Sequence, residues 1–67
     1  MDVRMFSKKL KTAREAKGYS QKQLGMRVGL SDKSISMYEK GTVYPPISNL
    51  FKISEALGVD ICYFLKD

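Results

Sequence analysis

Lys33, Ser34, Ser36 and Met37 stand together in the middle of the chain. They combine an ammonium group, two hydroxyls and a thioether, side chains suited to hydrogen bonds and soft apolar contacts. The usual partners of covalent catalysis are missing. There is no His, no Gly-rich phosphate loop, and no carboxylate pair set in a plausible pocket, so an enzyme is disfavoured. A single Cys and no His exclude both an internal disulfide and a Cys/His zinc cluster. No cofactor is called for. The lone Cys62 lies in an apolar stretch and is expected to be a buried small hydrophobe. Non-covalent recognition is the chemistry left.

Charge narrows the partner. The 67 residues carry 12 Lys/Arg against 7 Asp/Glu, a net +5, which favours an anionic partner without dictating a fold. Residues 1–41 hold ten of those cations against four acids, a local +6, whereas residues 42–67 are at −1. A chain this short holds one modest core, and with no disulfide or metal, apolar packing must carry it. No apolar run approaches a membrane span and no signal-peptide pattern opens the sequence, so no membrane is expected and a reducing, cytoplasmic setting fits.

The elements that must position the central residues are helices separated by glycines, because no alternating strand pattern appears. Phe6, Leu10 and Ala13 mark an amphipathic first helix that ends near Lys17, with Gly18 after it. Ser20 and Gln23 form a capping box that starts a second helix at Gln21. That helix carries Leu24 and Val28 inward, stops at Gly29, and contains an interior Gly25 that suggests close packing. Ser31 is the candidate N-cap of a third helix over about 32–40, with Ile35 and Tyr38 facing in. After Pro45 and Pro46, a fourth helix is expected to bury Ile47, Leu50, Ile53 and Leu57, with Phe51 widening the stripe. Asp60 caps a final short helix in which Ile61, Phe64 and Leu65 turn inward while Tyr63 stays partly exposed. The fold class is therefore all-α, a compact bundle of five short helices.

The second and third helices, joined through Gly29-Leu30-Ser31, make a helix-turn-helix over about 20–40. Leu24, Val28, Leu30 and Ile35 would bury its seam and leave the outer face of the third helix free. That face lacks the Glu/Lys ladder of a merely solvated helix. The lysines of the first helix read mainly as a solvated face, and Tyr38 and Tyr44 read equally as packing residues or as donors to an anion.

The run from Ser20 to Gly41 resembles the Cro and lambda-repressor type of helix-turn-helix, the Xre family. The likeness extends through Leu10, Arg14, Gly18, Pro45, the run Leu50 to Val59, and Phe64-Leu65, so it covers residues 6–65 as one domain. It implies a lambda-repressor-like bundle and a transcriptional regulator, a repressor above all, that inserts the third helix into the major groove of double-stranded DNA. It also implies roles. Gln21 would meet a phosphate from the start of the second helix. Asp32, Lys33, Ser34 and Met37 match recognition-helix positions that face bases or the adjoining backbone, with Ser36 close by and Ser31 also expected at the DNA, and Lys40 and Thr42 match a backbone-contacting loop. Arg14 and Glu39 match a structural ion pair.

Asp32 departs from the Gln that often opens the recognition helix in this family. It either accepts from a cytosine amino group or helps cap the helix, the second being favoured. Lys33 either donates to guanine O6 and N7 or takes a phosphate, and Met37 would touch a thymine methyl. A homodimer on a pseudo-palindromic operator is expected, with Tyr63, Phe51 or Leu65 as candidate contacts. The main rival is a module of the same fold that binds a protein partner. Many members of the family carry a C-terminal dimerisation or ligand domain beyond such a unit, so the chain is expected to be either a stand-alone regulator or an excised domain.

Overall fold

Asp2 accepts a hydrogen bond on its side chain from the Arg4 backbone N–H at 2.9 Å and so starts the first helix three residues before Phe6, its first buried position. The computed structural model describes residues 2–66, all helix or connection with no strand among them. Five helices follow in order: α1 (Val3–Ala16), α2 (Gln21–Val28), α3 (Asp32–Glu39), α4 (Ile47–Leu57) and α5 (Cys62–Leu65). α2 packs against α3 and α4, and α1 against α3 and α5.

The α2–turn–α3 unit is built by local chemistry. Ser20 accepts from the Gln23 N–H at 3.0 Å while the Gln23 side chain accepts from the Ser20 N–H at 2.8 Å, a reciprocal capping box. At the other end Gly29 adopts the left-handed conformation, φ 71° and ψ 30°, which a residue with a Cβ reaches only at a cost. The chain then reverses at once, and the Leu30 N–H returns to the Gly25 carbonyl at 2.8 Å. Gly25 permits this approach. A Cβ there would lie 2.6 Å from the Leu30 carbonyl oxygen.

One core holds the helices together. Phe6, Leu10, Leu24, Ile35, Ile53 and Phe64 are fully buried, with Ala13, Val28, Tyr38, Leu50 and Leu57 closing around them. Each of the large side chains contributes roughly 1.5–3 kcal/mol by leaving water. Phe6 and Phe64 meet edge to face at 5.4 Å, which fastens α5 to α1. Two buried hydroxyls are satisfied locally, Ser7 on the Arg4 carbonyl and Ser54 on the Phe51 carbonyl, both at 2.8 Å.

Four apolar residues expected inside lie outside. Ile47 and Phe51 are 64% and 55% exposed, Leu65 is exposed, and so is Cys62. Helix geometry explains each. At about 100° per residue, Phe51 is turned about 100° from Leu50, and Ile47 sits in the first turn on that same flank. Cys62 lies about 200° round from Phe64, on the opposite side of a single turn, and Leu65 is about 100° past it. A bundle this small buries only the residues on the axis of each stripe.

Candidate functional site

Helix α3 is anchored from beneath and open above. Ile35 and Tyr38 point into the core. Lys33, Ser36, Met37 and Lys40 fall within about 100° of arc on the far side. Lys33, Met37 and Lys40 are exposed and Ser36 is half-buried. Together with Ser31 and Ser34 they line one shallow hollow of about 310 Å³. The structure thus brings six of the predicted residues into one surface.

The start of that helix is fixed by Ser31. Its hydroxyl accepts from the Ser34 N–H at 3.1 Å and lies 3.1 Å from the Ser34 hydroxyl. Ser31 therefore makes the cap, and Asp32, the first residue inside the helix, is exposed. This is the arrangement expected of the pair, Ser31 as the cap and Asp32 adding negative charge at the positive end of the helix. Lys40 forms the C-terminal cap of α3, and Thr42 lies exposed in the loop beyond it.

The other end of α3 is held by a buried network. Arg14 on α1 donates from Nε to Glu39 Oε2 at 2.6 Å and from Nη2 to Oε1 at 3.1 Å, a bidentate pair in which the side chains are 10% and 5% exposed. The Glu39 hydrogen bonds raise the Arg14 pKa above its ordinary value against the opposing effect of burial, so the guanidinium stays charged. Its remaining Nη1 donates to the Tyr19 carbonyl at 2.6 Å. Gln21 joins the same cluster. Its Nε2 donates to Glu39 Oε1 at 3.1 Å. One carboxylate on α3 thus gathers α1 through Arg14 and the first residue of α2 through Gln21, while Arg14 itself ties in the α1–α2 connection at the Tyr19 carbonyl.

Gln21 consequently stands apart from the hollow, as do Asp32 and Thr42. The link from Gln21 to Glu39 spans 18 positions, and no local pattern in the sequence announces it. Arg27 stacks over the Tyr19 ring with its guanidinium carbon 4.7 Å from the centroid, a contact also missed, although a Tyr eight positions from an Arg is a weak signal in any case.

With this geometry in view, a family model described as helix-turn-helix matches residues 10–64. The chain belongs to this helix-turn-helix family, of the Cro and lambda-repressor type. Among its relatives is the SPbeta prophage-derived HTH-type transcriptional regulator YonR of Bacillus subtilis, 37% identical over 62 residues, or 92% of this chain and 57% of that protein. Among solved structures, the DNA-binding domain of the P22 c2 repressor superposes with a TM-score of 0.89 at 30% identity, covering 98% of this chain and 87% of that one. The restriction-modification controller protein C.AhdI of Aeromonas hydrophila gives 0.88 at 28% identity, covering 94% and 91%. This chain spans from about a quarter to about three fifths of the length of the first curated relatives it matches. The helix-turn-helix of the family is α2, the Gly29 turn and α3, the unit that the Ser20–Gln23 capping box, the Ser31 cap and the Gly25 contact hold together. No helix among the described residues is long and apolar enough to cross a membrane.

Proposed function

We propose that this helix-turn-helix domain, one unit over about residues 6–65, binds double-stranded DNA sequence-specifically with α3 in the major groove and regulates transcription as a repressor in the cytoplasm. The observation that carries the reading is the open arc of α3: lysine, serine and methionine side chains on a helix whose position is fixed by its own buried face. Lys33 donates to a guanine edge or an adjoining phosphate, Ser34 and Ser36 serve either, and Met37 offers apolar contact to a thymine methyl. Asp32 accepts from a cytosine or only supports the helix start. Lys40 and Thr42 hold the backbone, which fixes register and carries no sequence information. Gln21 retains a role here too. A primary amide has two N–H groups, and with one on Glu39 the other is available to a phosphate.

A single short recognition helix buries little area, so tight binding calls for two half-sites about one helical turn apart. We therefore propose a homodimer on a pseudo-palindrome. Phe51 and Leu65, whose apolar surfaces are exposed, and the half-buried Tyr63 are the candidate contacts. The residues support binding, not catalysis, and the curated relatives are named as transcriptional regulators.

Selection of bound sequences from random duplex DNA, at about 50 and about 200 mM salt with oligomeric state measured alongside, tests the proposal. Enrichment of a short inverted repeat is the expected result. Salt-sensitive binding without a motif, or none, would overturn it in favour of a protein partner.

A further inference from the structure

We infer that Arg4, at the start of α1, is an additional contact to the phosphodiester backbone of the duplex, extending the interface from the loop after α3 onto the first helix. The inference rests on the DNA-binding reading above. It starts from a close approach between segments 37 residues apart. A Cβ on Gly41 would lie 3.2 Å from Arg4 Cγ, 3.5 Å from Arg4 Cα and 3.1 Å from Ser7 Oγ, so the stem of Arg4 rests on the loop backbone between Lys40 and Thr42. Gly41 has φ 79°, so glycine serves both the turn and the approach.

Three consequences follow. The position of Arg4 is set by a rigid element, because Ser7 Oγ is bonded to the Arg4 carbonyl and Asp2 caps its N–H. The side chain is exposed, so its guanidinium is not consumed by the core. Its stem on Gly41 places a second cationic side chain against the residue that follows Lys40, among the described residues neither cation is in an ion pair, and two cations on one surface favour a polyanion over either charge alone. The Asp2 carboxylate is the nearest acid in sequence, and it is engaged on the Arg4 backbone. Lys17, at the other end of α1, supplies the control. Its ammonium lies against Gly58 at the end of α4, about 20 Å along the helix from Arg4 and beyond the Debye length of about 8 Å at physiological salt.

The experiment is a salt titration of duplex binding by the full chain, with Arg4→Gln, Arg4→Lys and Lys17→Gln compared on the selected sequence and on random duplex. One phosphate contact contributes about 0.9 to the slope of log affinity against log salt, which is about eightfold in affinity at 0.1 M salt and about fourfold at 0.2 M. Arg4→Gln should lose that factor on both DNAs with its melting temperature unchanged, Arg4→Lys should recover most of it, and Lys17→Gln should leave the slope near the parent value. An unchanged slope in Arg4→Gln, an equal loss in Lys17→Gln, or a loss confined to the selected sequence would overturn the inference while leaving the DNA reading intact. Absence of duplex binding by the unaltered chain would overturn both.

Discussion

Replacing Gly25 by alanine should destabilise the domain, although alanine is the better helix former by about 1 kcal/mol in a helix interior. The reason lies across the turn. The new methyl would sit 2.6 Å from the Leu30 carbonyl oxygen and 3.2 Å from the Ser31 carbonyl carbon and oxygen, all backbone atoms that cannot rotate aside. Forcing an extra carbon into a packed seam costs about 1–3 kcal/mol. Moving the turn also strains the 2.8 Å bond from Leu30 N–H to Gly25 O, an interaction worth about 0.5–1.5 kcal/mol. Set against the propensity gain, the net loss is about 0.5–3.5 kcal/mol, and a central value of about 2 lowers the melting temperature by about 8–16 °C in a domain of this size. Circular-dichroism melting and urea midpoints measure it. Gly29→Ala is the companion experiment, because open space surrounds that position and only the left-handed backbone, at about 1–2 kcal/mol, opposes a side chain. A Gly25→Ala variant that melts at or above the parent temperature would refute the close-approach argument.

Other perturbations separate frame from reading face. Glu39→Ala leaves the Arg14 guanidinium buried without its partner and should cost about 3–5 kcal/mol, read by the same melts; a loss below about 1 kcal/mol would show that the pair is dispensable. Lys33→Ala should weaken binding by about 1–3 kcal/mol and relax preference at one base pair, whereas Gln21→Ala should weaken all sequences alike. Quantitative binding to a panel of single-base variants distinguishes them, and equal sequence-independent losses would make Lys33 a phosphate contact. Asp60 accepts from the Cys62 backbone N–H at 2.9 Å, and that hydrogen bond lowers its carboxyl pKa below 3.8. A group whose pKa is depressed on folding stabilises above its unfolded value and loses that contribution as pH falls through the folded one. The parent should therefore lose stability below about pH 4 more steeply than Asp60→Asn, and parallel acid melting curves for the two would contradict the assignment.

How much of this was legible in the residues depended on whether the interaction was local. Ser20 and Gln23, or Gly29 before Ser31, announce their roles within three or four positions, and the helix order, the helix-turn-helix seam and the exposed face of α3 followed from them. Apolar identity misled where a stripe was wider than the core could use. Ile47, Phe51, Cys62 and Leu65 are as apolar as Leu50 and Phe64 yet point outward, because burial depends on which neighbouring helix lies above a residue. Asp2 carried a readable N-cap signal that the first apolar period at Phe6 overshadowed. The Gln21–Glu39 bond and the seating of Arg4 on Gly41 join residues 18 and 37 positions apart, and nothing local encodes either.

The distribution of those long-range contacts bears on how recognition could change. No residue of the open arc of α3 is among the fully buried side chains. Exposed substitutions away from special contacts typically alter stability by no more than about 0.5 kcal/mol. Lys33, Ser36 and Met37 can therefore vary with little effect on the fold, and on the proposed reading base preference would vary with them, whereas a change at Lys40, assigned to the DNA backbone, would alter affinity without altering preference. Glu39 is different, because it lies on the same helix but faces Arg14 and Gln21. It sets the rotation of α3 about its own axis at one end, while Ser31 and the Gly25 approach set it at the other. On the proposed reading Gln21 would belong to both systems, because it holds Glu39 with one amide N–H and has a second to offer a phosphate. Its substitution should move stability and duplex affinity together, where changes at Lys33 move affinity alone.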